Sequence, residues 1–286
     1  MIPLDAAWLA ANPLPPIEGE TDKNQRGRLL VCGGSLSVPG GLLLTGEAGY
    51  RAGAGKVQLA MPAAAAVAAG VRLPEAAVFG LQTNDAGELG ESPDRLAALL
   101  GRCDALILGP GMGKHADVEA LLAAVLYSEN VPAALLLDAG MIKAARAFEA
   151  DLRRLETDLL LTPHPGEMAA LMGCDPDAVG SGTAQDAAER FGAVVVLKGG
   201  ETCIAAPGGA MLHYRGGGPG LATGGSGDVL AGAIGGLLAR GVTARDAAAW
   251  GVWAHGEAGR HAAARFGRIG LLARDILPLL PALLYG

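Results

Sequence analysis

Residues Gly216–Gly241 read GGGPGLATGGSGDVLAGAIGGLLARG, a glycine-rich loop followed at once by an apolar segment. The larger apolar side chains of that segment recur at helical spacing, at Val229, Leu230, Ile234, Leu237 and Leu238. The spacing predicts a helix near residues 226–240. Glycines before a helix leave backbone N–H groups accessible, and the helix dipole places partial positive charge there. The stretch therefore predicts a binding site for an anion, and phosphate is the anion that suits it best.

Asp228 stands in the first turn of this predicted helix, where a carboxylate repels a resting phosphate. It fits such a site if it takes a proton from a hydroxyl that attacks a phosphoryl group, or if a metal cation lies nearby. The alternative is that Ser226 or Asp228 only caps the helix.

Composition limits the classes of protein that this chain can belong to. Its 286 residues suit one large α/β domain or two small ones. With 51% hydrophobic but only 4% aromatic residues, the core must consist mainly of Ala, Leu and Val. The net charge of −7, without a basic run, argues against nucleic acid or an anionic membrane surface as a partner. No apolar run reaches the roughly 18 residues that a membrane span needs.

The cysteines and the N-terminal charges indicate a reduced, cytoplasmic protein. The cysteines form no CxxC pair and have no metal-ligand spacing; they are Cys32, Cys103, Cys174 and Cys203. Residues 1–27 form a polar, proline-containing N-terminal segment. Acidic residues precede its first base, Lys23, which is the wrong charge for a secretory signal: Asp5, Glu18, Glu20 and Asp22.

Beyond residue 28, strand-like and helix-like segments alternate. The run 28–34 is interpreted as a buried strand that meets a glycine turn. Further predicted strands cover residues 56–60, 103–108, 133–138, 158–161 and 193–197, and a hairpin covers 202–206 and 210–214. The predicted helices cover 40–52, 95–100, 116–127, 184–191, 226–240, 245–265 and 271–280, with a loop at 82–94. The alternation is typical of an α/β fold with a central, mostly parallel sheet and helices on both faces. We expect a single domain over residues 1–286, with its ligand outside the carboxyl ends of the strands.

One strand ends in Gly109-Pro110-Gly111-Met112-Gly113-Lys114, which looks at first like a Walker A loop. It has one spacer residue too few, and His115 stands where Ser or Thr would bind the metal. It also lacks the GxGxxG spacing of a dinucleotide-binding turn. We reject both interpretations, although these glycines still allow a phosphate or sugar to approach the backbone. A bare turn is the alternative.

Another strand ends in Thr162-Pro163-His164-Pro165-Gly166-Glu167. Two prolines restrict the backbone around His164 and fix the direction of its imidazole, so we expect it to contact the ligand. The other histidines considered are interpreted as packed or solvated side chains: His213, His255 and His261.

Two further strand ends carry a charged side chain. Lys198 follows the apolar strand of residues 193–197 and can reach phosphate oxygens as a point charge. Its alternative is a lysine whose stem covers apolar surface. Asp138 ends another strand and could orient a water or a metal, but a carboxylate that caps its turn is the favoured interpretation.

Segments in this order resemble the NAD(P)H-hydrate dehydratase family of the ribokinase-like superfamily. They are GYRAGAGKVQLA (49–60), LGPGMG (108–113), LLLDAG (135–140), LTPHPGE (161–167), VVVLKGGET (194–202) and GGSGDVLAG (224–232). LTPHPGE with LKGGET is more specific to this family than GGSGD, which alone indicates a ribokinase-like phosphoryl site. One departure is Ser226, where many relatives have Thr. The epimerase domain that some relatives carry in front is not expected in a chain of this length.

The resemblance implies repair of a nicotinamide cofactor, in which ADP or ATP drives removal of water from the hydrated ring of the S form of NADHX or NADPHX. It implies that the nucleotide is bound by Lys198, Gly199, Gly200, Glu201, Thr202 and Gly227. It implies that the hydrate is bound by Ala48, Gly113, His164 and Asp228. Asp228 would take the proton of the C6 hydroxyl as that oxygen attacks the terminal phosphoryl group, while amides that include those of Gly225 and Gly227 stabilise the charge.

The resemblance also implies Mg²⁺ bridging the phosphates, through protein ligands that the sequence does not identify. It implies a homotetramer and an epimerase that acts as a separate protein. Two other functions stay open at this point. One is a small-molecule kinase of the same superfamily, of the hydroxymethylpyrimidine or thiazole kinase type. The other is a nucleotide-binding sensor without turnover.

Overall fold

The computed structural model describes residues 1–16, 22–90 and 93–286. Its strands are β1 (Ile2–Pro3), β2 (Arg28–Cys32), β3 (Lys56–Pro62), β4 (Ala77–Leu81), β5 (Ala105–Leu108), β6 (Ala134–Leu137), β7 (Asp158–Leu161), β8 (Val194–Leu197), β9 (Thr202–Ala205) and β10 (Leu212–Tyr214). Its helices are α1 (Ala6–Ala11), α2 (Gly40–Arg51), α3 (Ala63–Arg72), α4 (Pro93–Leu100), α5 (Val118–Leu126), α6 (Gly140–Ala145), α7 (Glu149–Leu152), α8 (Pro165–Met172), α9 (Ser181–Phe191), α10 (Ser226–Ala239), α11 (Ala244–Phe266) and α12 (Leu280–Tyr285).

The strands of the described ranges form one sheet in the order β1-β10-β9-β8-β7-β6-β5-β2-β3-β4. Only β9 runs antiparallel to its neighbours β8 and β10. Because β5 returns to pair with β2, the direction of winding reverses between these two strands. In register, Cys32 pairs with Leu108, Leu108 with Leu137, and Leu137 with Leu161. The carboxyl ends of four strands therefore meet at one edge, where doubly wound sheets bind their ligands.

The sheet separates two apolar layers, because successive side chains of a strand point to opposite faces. Leu29 and Val31 of β2 join the layer that contains α2, α10 and α11. Leu30 and Cys32 of the same strand join the layer that contains α4, α5, α8 and α9. The predicted α/β fold with helices on both faces is confirmed.

Helices α2 and α10 approach each other closely because glycines line their contact. A Cβ on Gly232 would lie 2.2 Å from the carbonyl oxygen of Thr45, and one on Gly236 would lie 2.4 Å from that of Gly49. Both helices begin at the carboxyl edge of the sheet. Their close packing therefore places the two N-termini side by side at that edge.

Several predicted boundaries differ from the structure. Strand β4 and the short helices α3, α6 and α8 were not expected, because periodicity is weak in segments of this length. The helix predicted at 271–280 is wrong: 3₁₀ turns occupy Ala273–Asp275 and Leu277–Leu279 before α12 begins. Pro278 lies inside the predicted span and has no N–H to donate.

The N-terminal segment predicted as polar holds β1 and α1, while residues 17–21, Glu18 and Glu20 among them, lie outside the described residues. Within the predicted loop 82–94, residues 91 and 92 also lie outside them. No helix in the described part of the chain is long and apolar enough to cross a membrane.

Candidate active site

The N-terminus of α10 presents free backbone donors to the carboxyl edge of the sheet. Gly225 precedes the helix with φ +87°, and no side chain caps it, so the interpretation of Ser226 or Asp228 as the cap is wrong. The amide of Ser226 donates to Thr223 O at 3.2 Å, and that of Val229 to Gly225 O at 3.1 Å. Between them, the N–H groups of Gly227 and Asp228 have no acceptor among the described residues. Two adjacent donors at a helix N-terminus are suited to an anion.

Asp228 is enclosed by the starts of α2 and α10 and by the turn after β5. A Cβ on Gly41 would lie 3.1 Å from Asp228 Oδ2 and 3.5 Å from Gly111 Cα, so glycine at position 41 leaves space for the carboxylate. The carboxylate accepts no hydrogen bond within the described ranges. The pKa of Asp228 is raised to about 6, mainly by burial and also by the negative charge of Asp138, while Lys198 opposes both. A carboxyl with this pKa is ionised at pH 7 and remains a ready proton acceptor.

Asp138 is buried at the end of β6 and has two close partners. Its Oδ1 accepts hydrogen bonds from Thr162 Oγ1 at 2.6 Å and from Lys198 Nζ at 2.9 Å. The interpretation of this carboxylate as the cap of its turn is therefore wrong, because its hydrogen bonds lead to residues that follow β7 and β8. A sequence pattern shows which strand a residue ends, but not which strand lies beside it.

Lys198 leaves β8 toward the N-terminus of α10. Its Nζ lies 3.9 Å from Glu167 Oε2 and 3.8 Å from the point where a Cβ on Gly227 would stand. Burial disfavours the ammonium form, but the attraction of Asp138, Glu167 and Asp228 outweighs it and raises the pKa of Lys198. The lysine therefore places a positive charge beside the free donors of α10.

A cleft of about 820 Å³ opens between the end of β8, the loop before α10 and the side of α11. Residues predicted to bind a nucleotide line it together, namely Lys198, Gly199, Gly200, Thr202 and Gly227. Glu201 is the exception, because its carboxylate is paired outside the cleft with His213 at 2.8 Å and Arg215 at 3.2 Å. These pairs also give His213 a specific contact that its sequence context did not predict.

His164 lies where this cleft meets a second one of about 730 Å³ between α5, α6 and α8. Its Nδ1 accepts from the amides of Gly166 and Glu167 at 3.1 and 3.2 Å, and its own amide donates to Glu167 Oε2 at 2.8 Å. The histidine is thus the N-cap of α8, while its exposed ring still borders both clefts. Capping explains how the ring is held, since two prolines alone would leave it free to rotate.

The other residues predicted to bind the hydrate are less well placed. Gly113 lines the second cleft, but its amide already donates to the buried carboxylate of Glu88 at 2.8 Å. Ala48 has no exposed surface and packs between α2 and α10, where a Cβ on Gly232 would lie 2.7 Å from its own Cβ. The structure therefore does not bring Ala48 to either cleft.

A buried histidine on the cleft wall makes a contact that the sequence did not predict. His255 of α11 is 8% exposed, and its Nε2 lies 3.1 Å from Ser226 Oγ and 3.0 Å from Ser226 O. Burial lowers the pKa of His255 to about 4, against the hydrogen bond with the Ser226 backbone. The packed interpretation is correct, but the 29 residues that separate the pair gave no signal of this contact. His261, six residues further on, is exposed and contacts Arg260 at 3.0 Å.

Comparison with known proteins agrees with the six sequence motifs. A family model described as NAD(P)H-hydrate dehydratase matches residues 29–282. The ADP-dependent (S)-NAD(P)H-hydrate dehydratase of Xanthomonas campestris is 45% identical over 282 residues, covering 98% of this chain and 94% of that protein. The bifunctional NAD(P)H-hydrate repair enzyme Nnr of Moorella thermoacetica is 37% identical, and the match covers 98% of this chain but only 53%, about half, of that protein.

The fold is also similar to that of a solved dehydratase structure. The ADP/ATP-dependent NAD(P)H-hydrate dehydratase of Bacillus subtilis, co-crystallised with ATP/Mg²⁺, superposes with a TM-score of 0.82 at 27% identity. The match covers 99% of this chain and 97% of that one.

Proposed function

The chain belongs to the NAD(P)H-hydrate dehydratase family, and from this we propose that it uses ADP to remove water from the S form of NADHX and NADPHX, restoring NADH and NADPH. The observation that carries the proposal within the structure is Asp228, a carboxylate with a raised pKa that accepts no hydrogen bond from the described residues and lies beside free amide donors and Lys198. The 45% identity to an enzyme named for this reaction supports ADP as the co-substrate. ATP is the alternative, supported by the co-crystallised relative.

The reaction follows from the chemistry of the leaving group. Hydroxide leaves carbon poorly, whereas phosphate leaves well. Asp228 takes the proton of the C6 hydroxyl, and the oxygen then attacks the terminal phosphorus of the nucleotide, which releases AMP when ADP is used. The ring nitrogen's electron pair next expels phosphate from C6, and loss of a proton from C5 restores the double bond.

Named residues hold the two substrates in this proposal. The cleft of about 820 Å³ takes the nucleotide, with Lys198 and the amides of Gly199, Gly200 and Thr202 along its phosphates or ribose. The amides of Gly225 and Gly227 stabilise negative charge on the transferring phosphoryl group. The hydrate lies against Asp228 and extends past His164 and Gly113 into the second cleft.

Magnesium fits this donor set only with help from the nucleotide. The described residues contain no cluster of three or more His, Cys, Asp or Glu side chains that could hold a metal. Mg²⁺ is commonly bound through one or two carboxylates together with substrate phosphates, and Asp138 and Asp228 supply oxygen ligands of that kind. When bound, the ion would neutralise phosphate charge.

Three further features of the proposal go beyond the chemistry of the site. We propose that the chain forms a homotetramer, as the family resemblance implies. We also propose that it acts in the cytoplasm, where the scattered cysteines would stay reduced, and that a separate epimerase supplies the S form of the hydrate. Light scattering of the purified protein measures the first, and an assay with the R form, with and without an added epimerase, measures the last.

The experiment that tests the function is an incubation with the hydrate, Mg²⁺ and either ADP or ATP, followed by dihydronicotinamide absorbance and by phosphate release. We expect the absorbance to recover in step with phosphate release. A stable phosphorylated product would instead identify a small-molecule kinase. Nucleotide binding without hydrolysis, with or without hydrate, would identify a sensor.

A further inference from the structure

Ser226 has a buried hydroxyl whose hydrogen bond to a histidine can run in either direction. The residue is 5% exposed at the first position of α10 and lines the nucleotide cleft. The contact of its side chain is with His255 Nε2 at 3.1 Å. The direction of that hydrogen bond decides where the hydroxyl hydrogen points.

The carbonyl oxygen of Ser226 fixes the direction. It lies 3.0 Å from the same Nε2, and a carbonyl oxygen can only accept. Nε2 must therefore carry the hydrogen, since an unprotonated nitrogen would face the carbonyl lone pairs. That N–H is shared between the carbonyl oxygen and Oγ, so Oγ is an acceptor in this pair.

The Ser226 hydroxyl is thus left as a donor without an acceptor. A serine that serves only a helix usually donates to a carbonyl one turn earlier or accepts from an amide as an N-cap. Neither bond occurs here, because no side chain caps α10 and no carbonyl accepts from Oγ within the described ranges. The hydroxyl is therefore free to donate to an oxygen of a ligand that enters the cleft.

We propose that the Ser226 hydroxyl is a further catalytic donor, which hydrogen-bonds an oxygen of the transferring phosphoryl group, and that His255 is the positioning residue that directs it. The inference rests on the proposed function, because that function places a phosphoryl group at the start of α10. The hydroxyl then joins the backbone amides of Gly225, Gly227 and Asp228 around that group. His255 lines the same cleft, but its Nε2 faces the hydroxyl and carbonyl oxygens of Ser226, so it acts on the substrate through Ser226.

The test compares variants at the two positions in the purified full chain, with hydrate, ADP and Mg²⁺. Ser226→Ala removes the donor and should lower kcat by about 10²-fold, the usual effect of losing one such donor, while the Kd for ADP changes by less than about threefold. Ser226→Thr keeps a hydroxyl and should retain kcat to within about threefold. Comparing Ser226→Thr with Ser226→Ala shows whether kcat depends on the hydroxyl donor or on how the side chain fills its space.

His255 is tested through its dependence on Ser226. His255→Leu should lower kcat by roughly tenfold in the wild-type background and have no further effect in Ser226→Ala, because groups that act as a unit are not additive. His255→Gln, which can place an amide N–H near the position of Nε2, should recover part of the loss. His261→Leu, on the exposed side of the same helix, serves as the matched control and should leave kcat unchanged.

The outcomes separate this inference from the function on which it rests. Failure of the wild-type protein to turn over hydrate overturns the proposed function. Turnover by wild type with an undiminished kcat in Ser226→Ala overturns the Ser226 donor alone. Equal losses from His255→Leu in both backgrounds overturn the positioning role. Should His255→Leu fail to fold, as thermal unfolding would show, ¹⁵N chemical shifts of wild-type His255 still decide whether Nε2 carries the hydrogen.

Discussion

Two aspartates lie at the same edge of the sheet, yet their surroundings differ. Asp138, at the end of β6, accepts hydrogen bonds from Thr162 at 2.6 Å and Lys198 at 2.9 Å. Asp228, at the start of α10, accepts none from the described residues, and burial raises its pKa to about 6. A carboxylate whose hydrogen bonds are satisfied in this way supports the structure around it. A carboxylate without them is stabilised by taking a proton, so the difference separates the residue that holds the site from the one that reacts.

The largest expected effect comes from replacing the unpartnered carboxylate. Asp228→Asn keeps the size of the side chain but cannot accept a proton, and loss of a general base typically lowers the rate by about 10²- to 10⁴-fold. We expect a fall in kcat of that size, with retained ADP binding and a midpoint of thermal unfolding no lower than that of wild type. Steady-state kinetics and calorimetry measure the two parts.

Asp138→Asn is the matched control for this variant. Its amide oxygen can still accept from Thr162, so we expect a smaller fall in kcat together with a lower unfolding temperature, because the Lys198 ammonium loses its counter-ion. Near-normal turnover in Asp228→Asn, or a larger loss in Asp138→Asn, would reverse the roles assigned to the two carboxylates.

The next effect concerns Lys198, which forms a hydrogen bond with Asp138 but not with Asp228. Lys198→Ala removes a charged donor from the nucleotide cleft, and hydrogen bonds to charged groups contribute about 1.5–3 kcal/mol, or roughly 10- to 100-fold in the Kd for ADP. We expect a smaller change in the KM for the hydrate. Lys198→Met, with a similar stem, should behave in the same way if charge rather than packing is what is lost. An unchanged Kd for ADP by calorimetry would contradict the assignment of Lys198 to the nucleotide.

The pH dependence of turnover follows from the raised pKa of Asp228. Because the base must be ionised, kcat/KM for the hydrate, which reports ionisations of the free enzyme, should rise with pH through about 6 and fall by about tenfold from its plateau at pH 5. Rates measured from about pH 4.5 to about pH 8 should show a single ionisation on the acidic side of the pH–rate profile. This ionisation should be absent from the residual activity of Asp228→Asn.

Stability should depend on pH through two groups of opposite sign. Asp228 has a raised pKa, so its contribution is full below its ordinary value of 3.8 and is lost as pH rises through about 6. His255 has a lowered pKa, so its contribution is full above its ordinary value of 6.5 and is lost as pH falls through about 4. The two oppose each other between those limits. Asp228→Asn should therefore lose stability more steeply than wild type on acidification from pH 6.5, as measured by thermal unfolding.

The comparison of the two aspartates also shows what the sequence could predict. The glycine-rich start of α10 is local information, so the helix and the position of Asp228 in its first turn were predictable from residues 216–241. Buried strands such as Val194–Leu197 are equally local, and they placed Lys198 at the correct edge. The fold class followed from the alternation of such segments.

What the sequence could not show was which side chains meet across strands and helices. Asp138 and Lys198 are 60 residues apart, and Ser226 and His255 are 29 apart, so their contacts depend on strand order and helix packing. The sequence could also not show that the amide of Gly113 already has an acceptor in Glu88, which depends on how the loop before α4 folds back. The short helices α6 and α8 were missed because a segment of six or eight residues is too short to show a clear helical repeat of apolar residues.

The smallest expected effect concerns His164, which borders both clefts and contacts neither of the two aspartates in the structure. His164→Ala removes both the ring that borders the clefts and the N-cap of α8. We expect the KM for the hydrate to rise by about three- to tenfold, as for loss of one modest contact, with little change for ADP. Loss of the cap should lower stability by about 1 kcal/mol.

A second variant separates these two roles, because Asn is among the best N-cap residues but lacks the imidazole. His164→Asn should therefore recover the stability lost in His164→Ala while keeping the raised KM for the hydrate. If His164→Asn recovers both, the ring acts only through the start of α8 and does not contact the hydrate. If instead the KM for ADP rises and that for the hydrate does not, His164 belongs to the nucleotide cleft, and the path of the hydrate from Asp228 into the second cleft is wrong.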